Sequence, residues 1–205
     1  VRGIIMTKLI HGIGFNDRKY PSGFCSGKML KEYDLWVSML SRCLKKYQDK
    51  HPTYTGVTCS ENFKNYSYFY EWCQNQAGFK SKDENGKTWQ LDKDILVKGN
   101  KIYSEDVCVF VPQRLNTLLT RRDASRGDTP IGVSWNSKRD KFTAQCNDGE
   151  GNLKHLGAYH TTKDAFQAYK SFKEQIIKDA AEKHKNILDD RVYSALIDYD
   201  VSFND

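Results

Sequence analysis

No run of about 18 apolar residues occurs anywhere in this 205-residue sequence, so nothing in it reads as a membrane-spanning helix. Residues 4–10 are too short and too interrupted for a secretion signal; Met6-Thr7-Lys8 reads as a natural start, and residues 1–5 are given no function. A cytoplasmic protein with no membrane partner is the expectation. The six cysteines include no C-x-x-C pair, and a reducing compartment argues against disulfides. Histidine is scarce: the five are His11, His51, His155, His160 and His184, and the middle of the chain has none.

What is present suits two modest cores. Hydrophobic residues make up 39% and aromatic residues 13% of the chain, enough to offset the entropy of ordering it. The 32 Lys and Arg against 26 Asp and Glu leave a formal charge of +6, which favours a polyanionic partner without specifying one. Cys25, Cys43, Cys59 and Cys108 all fall in the first part of the chain. They are either buried thiols or a four-thiolate structural zinc site assembled from separate elements.

Periodicity predicts an α+β protein. Leu35, Trp36, Met39, Leu40, Cys43, Leu44 and Tyr47 recur at helical spacing up to His51-Pro52. A second helix is predicted from Ser60, as its cap, through Phe63, Tyr66, Phe69, Tyr70 and Cys73 to Gly78, with its aromatics in the core. Residues 80–87 read as a polar loop. Residues 89–96 and 107–111 read as strands around a turn at Gly99-Asn100-Lys101, and Pro112 opens a short helix over 113–119, giving a β-β-α unit.

The domain organisation follows from these signals: residues 1–120, a basic linker over 121–130 carrying three arginines, a domain over 131–185, and a tail over 186–205. In the domain, Val133, Trp135, Phe142, Ala144, Cys146, Leu156 and Ala158 alternate with polar residues, predicting three antiparallel strands with one apolar face. Thr161-Thr162-Lys163-Asp164 is a capping box, after which Ala165, Phe166, Tyr169, Phe172, Ile176, Ile177 and Ala180 form a stripe that covers that face. Lys170, Lys173, Lys178 and Lys183 are expected to point outward. The tail, with Val192, Leu196, Ile197 and Tyr199, can pack back on the chain or form a homodimer.

Gly132-Val133-Ser134-Trp135, Lys141-Phe142-Thr143-Ala144-Gln145, Leu156-Gly157-Ala158-Tyr159 and Asp164-Ala165-Phe166-Gln167-Ala168-Tyr169 resemble the APETALA/ethylene-response-factor DNA-binding domain over about 55 residues. The resemblance implies binding of double-stranded DNA, with the open sheet face in the major groove. Alternation puts Ser134, Asn136, Thr143, Gln145, Asn147 and His155 on that face, with Lys138, Arg139, Lys141 and Lys154 in reach of phosphates. Ser134 and Asn136 stand where the plant-type domains carry arginines, so the target sequence does not transfer.

The first part resembles phage HNH or homing-endonuclease-like proteins through Gly12-Ile13-Gly14, Trp36-x-x-Met39-Leu40-x-Arg42-Cys43, Tyr54-x-Gly56-Val57-x-Cys59 and residues 91–104. In such proteins an APETALA-type domain follows the nuclease-like region, and the likeness also implies zinc at the four cysteines and a bacterial host cell. An HNH site needs a carboxylate and an Asn or His on one divalent metal, magnesium if active, and a histidine to activate water. Asp92 and Asn116 stand where the two ligands belong, but Lys93 occupies the histidine position. Lysine ordinarily stays protonated at neutral pH, with a pKa near 10.4, and makes a poor base.

Three functions compete. The first is a non-cutting, nuclease-derived DNA-binding protein that represses or occludes a site. The second is an active metal-dependent homing or nicking endonuclease with an altered base, and the third a protein whose partner is an acidic protein. Whether the chain is an enzyme turns on Lys93.

Overall fold

The computed structural model describes residues 8–24, 26–119 and 128–204. Its backbone groups into two compact units, one holding residues up to Ser81 with Thr88–Phe110, the other holding Lys82–Lys87 and the chain from Val111 onward. The fold is α+β, as periodicity predicts.

In the first unit, α1 (Lys31–Arg42) carries Glu32 and Asp34 in its first turn and Arg42 in its last, in keeping with the helix dipole. It buries Trp36, Met39 and Leu40, and the Trp36 indole donates to the Phe63 carbonyl at 2.8 Å. A short α2 (Lys45–Gln48) completes the first predicted helical stretch. The second predicted helix starts later and stops earlier: residues 62–64 make a 3-10 turn, and α3 runs Tyr66–Gln74. Its cap is Asn65, whose side chain accepts the Tyr68 N–H at 3.1 Å, while Ser60 serves only the preceding turn. Phe63, Tyr66, Phe69, Trp72 and Cys73 are buried, so the aromatic stripe is core.

The strands of this unit are short. β1 (Thr58–Cys59) pairs in parallel with β3 (Ile102–Tyr103), a pairing between distant segments that local pattern does not reveal. β2 (Gln90–Asp92) pairs with β4 (Val109–Val111). The predicted strand over 89–96 ends at Asp92, whose Oδ1 accepts the N–H groups of Asp94 and Ile95, both at 2.8 Å, and folds the chain into a turn.

In the second unit, α4 (Gln113–Leu119) follows Pro112 as predicted and buries Leu115 and Leu118. β5 (Val133–Asn136), β6 (Lys141–Asn147) and β7 (Leu153–Tyr159) form one antiparallel sheet in that order. α5 (Thr162–His184) packs across it, capped by Thr161, which accepts the Asp164 N–H at 3.1 Å. The core joins Val133, Ala144 and Cys146 of the sheet to Ala165, Phe166 and Tyr169 of the helix.

The tail belongs to this core. α6 (Asp190–Ile197) buries Val192 and Leu196, and Val201 enters the sheet–helix cluster. Lys170 ties it down, bonding Glu174 at 2.8 Å, the Val201 carbonyl at 2.9 Å and Asp200. Of the lysines expected to point outward, Lys173 is instead half-buried, and burial pushes its pKa down. The arginine-rich segment 120–127 lies outside the described residues.

Candidate nucleic-acid interface

Cross-strand register decides which side chains share a face, because residues directly opposite one another project the same way. Trp135 opposes Phe142 and Ala144 opposes Gly157 on the helix side. Ser134 opposes Thr143, Thr143 opposes Ala158, and Asn136 opposes Lys141 on the other side. Trp135 therefore faces as its spacing predicts, yet it stays 50% exposed, edge-on to Phe142 at 4.8 Å.

The alternation breaks once. Ala144 pairs with Gly157 and Gln145 with His155, which leaves Leu156 as the extra residue of a bulge. Leu156 packs on the core and His155 returns to the open face beside Gln145. The bulge also corrects the reading of Ala158 as a core position: Ala158 lies over Thr143 on the open face, and Tyr159 packs inward. Past the bulge Lys154 opposes Cys146, whose side chain is buried under the helix, so Lys154 sits on the helix side, 3.8 Å from Asp148.

The polar groups of the open face are not equivalent. Ser134 and Thr143 hold each other's hydroxyls at 2.9 Å, and Thr143, between the outer strands, is only 5% exposed. Asn136 Oδ1 accepts the N–H groups of Lys138 and Arg139 at 3.1 and 3.2 Å and shapes the turn between β5 and β6. Asn147 Oδ1 does the same in the next turn, accepting the Gly149 N–H at 2.8 Å. Gln145 and His155 are both exposed, and neither side chain bonds another described residue. Lys138 and Arg139 project from the first turn, with Lys141 half-buried opposite Asn136.

The nuclease-like positions have a different character. Asp92 and Lys93 are buried in the first unit, while Asn116 stands on α4 in the second. Burial, with the Asp94 charge beside it, pushes the Asp92 carboxyl up to about 6. The Lys93 ammonium donates to Asp94 at 2.9 Å and to the Asn100 carbonyl at 3.0 Å, and the Asn100 amide returns a bond to the Lys93 carbonyl at 2.7 Å. This is a tied turn, with the lysine nitrogen held between a carboxylate and a carbonyl.

Of the four cysteines grouped by sequence, Cys43 and Cys59 meet. The two thiols influence each other, the pair pushing Cys43 up and holding Cys59 down, while the Cys43 thiol donates to the Met39 carbonyl at 3.4 Å. Cys108 is buried, its thiol pushed up to about 12 by desolvation, and Cys25 lies outside the described residues. Among the described residues no group of three or more His, Cys, Asp or Glu is placed to hold a metal. Cys59 is therefore expected to be the first of Cys43, Cys59, Cys73, Cys108 and Cys146 to react with iodoacetamide at neutral pH. Peptide mass spectrometry of the briefly alkylated native protein checks this; earlier labelling of Cys43 would contradict the opposite shifts of the two thiols.

No family model, no curated protein and no solved structure matches the chain. Among the described residues no helix is long and apolar enough to cross a membrane.

Proposed function

We propose that this chain binds double-stranded DNA through the open face of β5–β6–β7 and acts by occupying its site rather than cutting it. The observation that carries the reading is a sheet with α5 packed on one face, whose other face holds Gln145 and His155 toward one end and the cationic turn of Lys138 and Arg139 at the other. Three strands spaced about 4.8 Å apart span about 10 Å, a width that enters a major groove of about 12 Å. The likeness of residues 132–169 to APETALA-type domains and the net positive charge point the same way.

Occlusion is favoured over cleavage by the tied turn at Asp92 and Lys93. A water-activating base needs an unprotonated nitrogen with access to water, whereas the Lys93 nitrogen is buried and engaged by Asp94 and Asn100. An active metal-dependent endonuclease that uses Asp92 is the second reading, and a structural zinc site that includes Cys43 and Cys59 is compatible with either.

The test is to incubate the full chain with fragments of the genome that encodes it, with and without magnesium or manganese, reading shifts and cuts together. A sequence-dependent shift without cleavage is expected. Cleavage at a defined site, abolished by Asp92→Ala, would establish the nuclease, and the absence of any DNA shift would leave an acidic protein as the partner. The Lys138→Ala/Arg139→Ala/Lys141→Ala variant should weaken binding to all sequences alike. Its plot of log K against log salt should be shallower by about 2–3, close to one for each phosphate that the variant no longer neutralises. An unchanged slope would remove these residues from the interface.

A further inference from the structure

Resting on the DNA-binding reading above, we infer that base preference on this face is concentrated in one cross-strand pair, Gln145 and His155, with Gln145 selecting adenine. A carboxamide recognises adenine by a fork: its oxygen accepts from the N6 amino group while its nitrogen donates to N7. Asn136 cannot offer that fork while its oxygen holds the Lys138 and Arg139 amides, and Asn147 is committed in the same way to Gly149. Ser134 and Thr143 satisfy one another and form a closed platform. Gln145 alone keeps both ends of its carboxamide available to a base.

Its position favours the same role. Gln145 lies on the central strand, and on its β5 flank the Gly132 carbonyl takes its N–H at 2.8 Å while presenting no side chain beside it. On the other flank the bulge delivers His155 directly opposite. Opposed side chains start about 4.5–5.5 Å apart, and base pairs are stacked about 3.4 Å apart, so the two residues reach neighbouring base pairs. The face therefore reads a short core, one adenine and its neighbour, while the cationic turn supplies affinity that is indifferent to sequence.

The experiment selects duplexes from a randomised pool with the full chain, then measures competition between the selected site and its single-base variants. Wild type should favour adenine at one position by about 10- to 100-fold, and 7-deazaadenine there should remove most of that preference, because the N7 acceptor is gone. Gln145→Ala should flatten the position, and Gln145→Glu should turn the preference toward cytosine, whose N4 amino group a carboxylate accepts. Lys178→Ala, at an exposed position of α5, should leave the base preference intact. Sequence-dependent binding whose adenine preference survives Gln145→Ala overturns this inference and spares the DNA-binding reading. A wild-type chain that binds no duplex overturns both.

Discussion

Gly132→Ala is expected to cost the second unit about 3 kcal/mol or more and, with it, DNA binding. Gly132 has φ 77°, a left-handed conformation that a side chain disfavours. A Cβ there would stand 2.0 Å from Cδ2 and 2.4 Å from Cε2 of Tyr169. That ring is 5% exposed in the cluster of Val133, Ala144, Ala165 and Phe166, so it has nowhere to move. Gly151→Ala is the control: φ is 93° but nothing lies within 4 Å of its Cβ, leaving backbone strain of about 1 kcal/mol. Denaturant unfolding of both full-length variants, with amide exchange followed at β6, compares them. Equal losses would show that Tyr169 does not hold Gly132 as described.

The second large effect is a gain. Asp92→Asn should stabilise the protein above pH 6 by about 1–3 kcal/mol, following from a pKa raised by about two units. Between about pH 4 and the folded-state value of about 6, the unfolded chain has given up this proton while the folded chain retains it. Stability from this group therefore falls as pH rises through that window and stays lost above it. Asparagine carries no charge, yet its oxygen can keep the bonds from Asp94 and Ile95 that end β2. Urea unfolding at pH 5 and pH 7.5 should show the variant's advantage growing with pH. A constant difference, or a variant weaker at pH 7.5, would mean that the buried carboxyl is not penalised. The same variant separates the functional readings, since occlusion survives it and metal-dependent cleavage does not.

Much of this architecture is legible in sequence because local physics carries it. The stripe from Ala165 to Ala180 and the threonine–aspartate cap announce α5, and alternation in β5 and β6 announces a one-sided sheet. The start of α3 is not legible, because Ser60 and Asn65 are both good caps, and the later one holds the helix while residues 62–64, tied by the Trp36 indole at the Phe63 carbonyl, form a separate turn. Nor is the end of β2, because Asp92 looks like any polar residue until its carboxylate captures two backbone amides. The meeting of Cys43 with Cys59 joins the end of α1 to a strand whose own partner is 44 positions on, Thr58 with Ile102, and no local pattern records such a closure.

The open face itself divides along this line. Sequence alone determined that residues 131–185 make three strands and a helix, that one sheet face is polar, and that cations gather at the turn between β5 and β6, since a period of two and turn chemistry are properties of neighbouring residues. Only the tertiary structure decided which polar groups remain available. The bulge at Leu156 reverses the facing of Ala158, register with Cys146 puts Lys154 on the helix side, and the bonds of Ser134, Asn136 and Asn147 consume groups that look equivalent in sequence. Register and hydrogen-bond partners depend on how strands meet, and Gln145 and His155 emerge as a pair only after they have met.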